Sequence, residues 1–199
     1  LIRLACAPTL GLDLTPTLVS EFSSLYSGAK FETHSYHFNE MVDHLRDGSV
    51  DLGIAFEAKD YEDLESRRIL EGNFVVLGSE NFNFSKKKLL LKDLEEIPFV
   101  GIEGPLSEKL YSFFNDMKFK PNFITQTDSY LMAASYVKKG LGISVLDQIS
   151  ASSLNSEKYI WELDGAPSCD VYLVVPKTAT KSLVLENFID FMTSYNYKL

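Results

Sequence analysis

The sequence lacks the features that would mark a nucleic-acid-binding or membrane-spanning protein. Its 199 residues carry a net charge of −9, and the only dense basic run is Lys86-Lys87-Lys88. Binding of nucleic acid requires a basic face, because neutralised phosphates supply much of the affinity. The chain is therefore not expected to bind DNA by itself, and the lysine run is interpreted as a solvated loop. No apolar run approaches about 18 residues, so no transmembrane helix is expected.

Cysteine is also scarce. The two cysteines, Cys6 and Cys169, lie far apart and have neither the Cys-x-x-Cys spacing nor a metal-ligand spacing. Each lies in an apolar, strand-like run, which favours buried free thiols. No signal peptide is recognisable. These absences predict a protein of a reducing, cytoplasmic compartment.

Catalytic and metal-binding motifs are missing as well. The sequence has no Gly-x-Ser-x-Gly, P-loop or Gly-x-Gly-x-x-Gly motif, and the lone Gly140-Leu141-Gly142 follows a predicted helix where a dinucleotide site needs a strand. His34 and His37 are three positions apart on a strand end, which places them on opposite faces. With His44 on a helix, the three histidines are interpreted as solvated. We expect no enzyme, no metal and no cofactor.

What the sequence does contain is an alternation of short apolar strands and amphipathic helices. Within the first 56 residues the pattern predicts three strands and two helices, which is typical of parallel βαβ units. The start of the first helix stays open between Thr9 and Thr15-Pro16. Asn39 is predicted to cap the second helix, and Asp47-Gly48 to end it.

After this point the pattern changes. Residues 68–70 and 74–77 are predicted to be consecutive strands with no helix between them, which indicates that the chain leaves a first lobe there. A second α/β block follows, including a helix that Asp128 begins and Lys138-Lys139-Gly140 ends. The sequence therefore predicts an α/β protein with two Rossmann-like lobes.

Polar residues cluster immediately after the predicted strands, where open α/β sheets bind ligands. Each such residue alone could equally be a helix cap or turn residue, but their shared position favours a binding cleft. The candidate effector-binding residues are Pro8, Thr9, Leu10, His37, Phe56, Glu57, Glu103 and Thr127.

Two segments, Ala7-Pro8-Thr9-Leu10-Gly11 and His44 to Ile54, resemble parts of the effector-binding domain of LysR-type transcriptional regulators. The first is similar to the opening strand and its Ser/Thr, and the second to the segment written L-x-x-G-x-L-D-L-A-I. Residues 65–77 are similar to the paired crossover strands, and residues 93–99 to the D-L…P-F step. Val137 to Leu146 is similar to V-x-x-G-L-G-I-x-x-L-P, except that Asp147 stands where proline is usual.

The resemblance implies a type 2 periplasmic-binding-protein fold, with two lobes joined by two crossover segments. Lobe I would comprise residues 1–74 and 175–199, and lobe II residues 75–174. A small-molecule effector would bind between the lobes and alter the assembly of the bacterial regulator on promoter DNA. The DNA-reading winged helix-turn-helix is expected to lie ahead of Leu1, outside this sequence.

The resemblance also implies contacts and partners. The Thr9 hydroxyl would bind the effector, aided by the Leu10 N–H, and a helix starting at Thr9 would point its positive end into the cleft. His37 and Phe56 would line one wall and Glu103 and Thr127 the other. An antiparallel homodimer would use the helices at 14–27 and 128–139, and the full-length protein would form a tetramer.

The sequence departs from the family pattern in having no arginine at a predicted strand end, where a carboxylate effector would need one. Glu57 and Glu103 suggest instead an effector with an amine or hydroxyls. The alternative function is a stand-alone periplasmic solute-binding protein of a transporter. A further alternative is an enzyme of the same fold, such as a deaminase or dehydratase, with Glu57 or Asp128 as its acid–base group.

Overall fold

The computed structural model describes residues 1–82, 84–104, 106–154, 157–178 and 180–197. Unit 1 contains Leu1–Glu71 and the chain from Asp170 onward, and unit 2 contains Gly72–Cys169. The predicted boundaries between the lobes, after residue 74 and before residue 175, would each divide a strand. The observed boundaries come three and five residues earlier, so each strand stays whole within its own unit.

The sheet of unit 1 has five strands. They are β1 (Ile2–Cys6), β2 (Phe31–Ser35), β3 (Leu52–Ala55), β4 (Leu64–Leu70) and β11 (Val171–Pro176). The strand order is β2-β1-β3-β11-β4, with β1 parallel to β2 and β3, and β11 antiparallel to β3 and β4. Because β1 and β3 are buried on both faces, they appear in the sequence as nearly continuous apolar runs.

Three helices cover this sheet: α1 (Leu14–Leu25), α2 (Phe38–Asp47) and α6 (Leu183–Ser194). α1 buries Leu18 and Phe22 at helical spacing, and the Phe22 ring packs 4.9 Å from that of Phe188 on α6. α2 ends where Gly48 adopts a left-handed conformation with φ of 75°. The predicted end of this helix is confirmed.

Unit 2 contains the other six strands. They are β5 (Phe74–Leu77), β6 (Lys88–Leu89), β7 (Pro98–Ile102), β8 (Asn122–Thr127), β9 (Ser144–Asp147) and β10 (Ile160–Leu163). Their hydrogen-bonded orders are β6-β10-β5-β9 and β7-β8. The Val100 N–H donates to the Ile143 carbonyl at 2.8 Å, and the Ile143 N–H to the Pro98 carbonyl at 2.9 Å. These bonds place β7 alongside the start of β9, and both run in the same direction as β8.

The helices of unit 2 are α3 (Ser107–Asp116), α4 (Tyr130–Lys138) and α5 (Gln148–Leu154). α5 was not predicted, because three of its seven residues are serines, which favour caps and turns over helix interiors. It is stabilised by packing instead, since Ile149 and Ala151 are buried and Ala151 joins the core of the unit.

Two predicted helix caps are wrong. Asn39 lies inside α2, whose N-cap position is His37. α4 is capped by Ser129, whose hydroxyl accepts a 3.3 Å hydrogen bond from the Met132 N–H, and not by Asp128. Both misplacements are of two residues or fewer, which is the usual uncertainty of helix ends.

Other sequence predictions can also be compared with the structure. The prediction that Cys6 and Cys169 are buried is confirmed. The lysine run is exposed, but Lys88 belongs to β6 and forms an ion pair with Asp164 at 2.7 Å. In the described part of the chain, no helix is both long and apolar enough to cross a membrane.

Candidate functional site

The three parallel strands of unit 1 end at the same edge of its sheet. In the β-register, Cys6 pairs with both Ser35 and Ile54. Two backbone hydrogen bonds connect the loops that follow, from the Ala7 N–H to the Ile54 carbonyl at 2.9 Å and from the Tyr36 N–H to the Cys6 carbonyl at 3.0 Å. This edge brings together the six candidate residues of unit 1, which are Pro8, Thr9, Leu10, His37, Phe56 and Glu57.

The loop after β1 differs from the predicted arrangement. Pro8–Gly11 form a single 3₁₀ turn and α1 begins at Leu14, so of the two helix starts that the sequence left open, Thr15-Pro16 lies close to the observed start and Thr9 does not. The Leu10 N–H donates to the Ala7 carbonyl at 3.0 Å, which contradicts the role predicted for it, and the Leu10 side chain is buried in the core. Thr9 is 8% exposed, and its hydroxyl is the polar side-chain group of this loop.

The other loops of unit 1 supply one aromatic, one imidazole and one carboxylate group. Phe56 is largely buried and His37 is exposed. The half-buried Glu57 carboxylate lies 3.2 Å from the Lys59 ammonium, which in turn lies 5.0 Å from the centroid of the Phe38 ring. Because the Lys59 ammonium already compensates the charge of the Glu57 carboxylate, Glu57 attracts a cationic ligand less strongly than the sequence suggests.

The two candidate residues of unit 2 lie side by side. The Glu103 N–H donates to the Thr127 carbonyl at 2.9 Å, directly after the parallel strands β7 and β8. The Glu103 carboxylate is exposed. The Thr127 hydroxyl accepts a 3.1 Å hydrogen bond from the Ser129 N–H, so it helps to shape the turn that leads into α4. Asp128, which follows Thr127 and was considered above as an acid–base group, is exposed.

Sequence reasoning missed a buried carboxyl group at the same edge of unit 2. Asp147 is the last residue of β9 and is fully buried. Its Oδ1 accepts a 2.8 Å hydrogen bond from the Ser150 N–H, while its Oδ2 has no partner among the described residues. Burial raises the pKa of Asp147 to about 6. The available signal was an acidic residue at the end of an apolar strand, which was interpreted only as a departure from the family's proline.

Two partly buried tyrosines lie near the end of β7. Tyr130, the first residue of α4, contacts Gly104: a Cβ at that glycine would lie 3.6 Å from its ring. The Tyr111 hydroxyl donates to the Ile102 carbonyl at 3.0 Å. Burial raises the pKa of both phenols, and the Asp147 charge adds to the effect at Tyr130. Both therefore stay neutral hydrogen-bonding groups at physiological pH.

The histidines do not converge on a metal site. His34 lies 3.3 Å from the Glu32 carboxylate, and Tyr36 stacks with both His34 and His44. His44 is also hydrogen-bonded, through Nδ1, to the Ser49 hydroxyl at 2.8 Å. Within the described ranges, no three residues among His, Cys, Asp and Glu are grouped as metal ligands would be.

The fold and the polar loops at the strand ends identify the class of protein. The chain is an α/β protein of two units with the periplasmic-binding-protein-like fold, and its parallel strands end in polar loops. The family model described as the LysR substrate binding domain matches residues 1–196. The chain therefore belongs to the LysR substrate-binding domain family.

Individual relatives agree with this assignment. The HTH-type transcriptional regulator DgcR of Pseudoalteromonas sp. is 24% identical over 153 residues, which are 75% of this chain and 53% of that regulator. The chain thus spans about half the length of this relative.

Solved structures show the same fold. The effector binding domain of QuiR in complex with shikimate has a TM-score of 0.79 and 21% identity, covering 96% of this chain and 94% of that one. The Synechocystis PCC6803 CcmR regulatory domain in complex with 2-PG has a TM-score of 0.81 and 20% identity, covering 97% and 95%.

Proposed function

We propose that this chain is the effector-sensing part of a bacterial, cytoplasmic LysR-type transcriptional regulator, and that it is not an enzyme. The observation that carries the proposal is the convergence of Thr9, His37, Phe56 and Glu57 at one sheet edge in unit 1, matched in unit 2 by Glu103 and Thr127. Strand-end edges of parallel sheets are where α/β proteins bind small molecules. Family membership favours this function over the transporter solute-binding protein considered above.

Promoter binding is assigned to a part of the regulator outside this sequence. The chain has a net charge of −9, which opposes direct binding to DNA phosphates. The HTH-type relative is about twice as long as the region it shares with this chain. In the proposed mechanism, effector binding here alters how the whole regulator assembles on promoter DNA.

The charges favour an effector with hydrogen-bond donors, such as amine or hydroxyl groups. Each of the four arginines already has a carboxylate partner in unit 1: Arg3 with Asp51, Arg46 with Asp63, Arg67 with Glu65, and Arg68 with Glu71 and Asp170. No guanidinium is therefore left to bind a carboxylate effector in a bidentate manner. In unit 2, the exposed Glu103 carboxylate is a hydrogen-bond acceptor.

Titration calorimetry against three compound classes tests this proposal. The panel contains polyamines and amino sugars, neutral polyhydroxyl compounds such as sugar alcohols, and polyanions. We expect binding from the first two classes, and an affinity loss of about tenfold in a Thr9→Val variant, which removes one hydroxyl hydrogen bond.

Thr193→Val provides the matched control. Thr193 is an exposed threonine on α6, so its replacement should leave the affinity unchanged. Binding by polyanions alone would contradict the donor-bearing effector. Equal affinity in parent and Thr9→Val proteins, for every ligand found, would contradict a site led by Thr9.

We further propose that the domain forms an antiparallel homodimer through α1 and α4. In unit 1, β2 is an edge strand beside α1, and Leu25 at the end of α1 is exposed. In unit 2, Ile124 on β8 and Leu131 and Met132 on α4 are about half exposed or more. Apolar side chains so exposed on a helix and its neighbouring strand favour a protein partner, and two such surfaces on one chain suit a two-fold contact.

Sedimentation equilibrium of a Leu131→Glu variant tests the dimer. A buried, unpaired carboxylate in the interface should weaken self-association by at least about tenfold. Leu183→Glu is the matched control, because Leu183 is exposed at the start of α6. A parent protein that stays monomeric at high concentration, or an equal loss in both variants, would count against this interface.

A further inference from the structure

A cavity in unit 2 shares no residue with the candidate effector contacts. It measures about 500 Å³, and its walls come from β5, β10, α5 and the segment 84–87. This volume lies within the range of small-molecule sites, about 300–1,000 Å³. Nothing in the proposed effector site accounts for it.

One part of the cavity is apolar and aromatic. Trp161 on β10 is largely buried, and Phe84 packs edge-on against it with ring centroids 5.1 Å apart. Val75 on β5 and Ile160 on β10 add aliphatic surface. A planar or apolar portion of a ligand can be desolvated against such a wall.

The other part of the cavity is cationic. Lys86, Lys87 and Lys158 line it, against one carboxylate, Glu162, among the described lining residues. Lys86 shares its charge with Asp93 at 3.0 Å. No ion pair joins Lys87 to a carboxylate among the side chains that the structure describes, and the Lys158 ammonium lies 5.0 Å from the centroid of the Tyr159 ring. Cations that stay uncompensated beside low-dielectric walls concentrate anions.

We propose that this cavity binds an organic dianion with a planar apolar portion. The apolar portion lies against Trp161 and Phe84, and the anionic groups contact Lys87 and Lys158. Gln148 and Ser152, which also line the cavity, supply neutral hydrogen-bonding groups.

This second site has the opposite charge preference to the proposed effector site. There the accessible groups are hydroxyls and the Glu103 carboxylate, whereas here they are ammonium groups. The same compound therefore does not suit both sites, and each can be tested without the other.

Trp161 allows a direct test, because it is the only tryptophan in the sequence. Protein labelled with 5-fluorotryptophan gives a single ¹⁹F resonance, which can be followed during titration with phenyl phosphate. We expect a saturable shift, with inorganic phosphate and benzyl alcohol each binding at least about tenfold more weakly because each carries only half of the recognised chemistry.

A matched pair of double variants separates a specific site from general charge. Lys87→Gln with Lys158→Gln should weaken phenyl phosphate binding by about tenfold or more. Lys138→Gln with Lys139→Gln removes the same charge from exposed positions at the end of α4 and should change it by less than about twofold. Circular dichroism confirms that each variant is folded, which is expected because all four lysines are exposed.

Three results would overturn the site. One is the lack of a saturable shift at Trp161. Another is an equal loss of affinity in both double variants. The last is inorganic phosphate binding as tightly as phenyl phosphate, since the aromatic wall would then have no role.

Discussion

In unit 1 the loops after the parallel strands are held by backbone hydrogen bonds and their charges are paired, whereas in unit 2 the corresponding edge contains a carboxyl group without full compensation. The Ala7 N–H bonds to Ile54, and Lys59 neutralises Glu57. In unit 2, Asp147 is fully buried with one unpartnered oxygen. Both edges follow the same strand-end geometry, but their polar groups are in different states.

The two edges are therefore expected to contribute differently to ligand recognition. Unit 1 offers a preformed surface with one threonine hydroxyl, so its contribution to recognition rests on fit and a few hydrogen bonds. Unit 2 adds the exposed carboxylate of Glu103, so its contribution to recognition includes electrostatics.

The largest loss of stability is expected from a substitution at a point where two backbone segments of unit 2 are in contact. A Cβ at Gly142 would overlap the carbonyl group of Pro98, whereas a Cβ at Gly53 in unit 1 would overlap only the side chain of Met41. Gly142→Ala should cost more than about 3 kcal/mol, against about 1–3 kcal/mol for Gly53→Ala, because a side chain can repack and a strand pair cannot. Urea unfolding measures both, and an equal or larger loss in Gly53→Ala would show that Met41 cannot repack.

The second effect concerns the charge of Asp147. Folding raises its pKa to about 6 from an ordinary value of 3.8, so the folded state holds the proton more tightly. The free energy of unfolding should therefore fall as the pH rises from about 4 to about 6, and should stay lowered above that. Asp147→Asn removes this dependence and should be about 1–3 kcal/mol more stable than the parent at pH 8, with the advantage lost near pH 4.

Thermal unfolding across this pH range measures the effect. Asp128→Asn, at an exposed position in the same unit, removes one carboxylate without removing a buried one. A stability difference between parent and Asp147→Asn that is the same at pH 4 and pH 8 would contradict the raised pKa.

The smallest change in stability is expected when one ion pair is removed from each unit. In unit 1 the Asp51 carboxylate accepts from the Arg3 guanidinium at 2.6 Å and from the Arg3 backbone N–H at 2.7 Å. Asp51→Ala should cost about 1–2 kcal/mol, since a charge-assisted backbone bond is lost as well. In unit 2 both partners of the Lys88–Asp164 pair are about half exposed, and Asp164→Ala should leave the unfolding curve unchanged. Equal losses would show that the backbone contact of Asp51 adds nothing.

Particular residues show why sequence reasoning succeeded for some elements and failed for others. β1, β3 and α2 were predictable because their apolar periodicity and the glycine after Asp47 act locally. α5 was not, because its serines disfavour a helix and only burial of Ile149 and Ala151 against the rest of unit 2 stabilises it. The two-residue β6 carries too little periodicity to be recognised.

The candidate site divides in the same way. Placing Thr9, His37 and Phe56 together required only that three consecutive strands run parallel, because parallel strands end at a common edge. The Leu10 N–H was misjudged, because the hydrogen bond that engages it depends on the 3₁₀ turn. Asp147 was overlooked, because an acidic residue after a strand shows its burial only once β5 and α5 are packed around it.

The sequence by itself determined the α/β class, the family resemblance and the strand ends at which polar residues gather, since periodicity, turn residues and charge are properties of neighbouring positions. Only the tertiary structure decided which of those polar groups are already engaged. The pairing of Glu57 with Lys59, the unpartnered oxygen of Asp147 and the lysine-lined cavity beside Trp161 depend on distances between side chains. Burial and charge compensation are set by the whole surrounding of a group, and a linear pattern does not contain that surrounding.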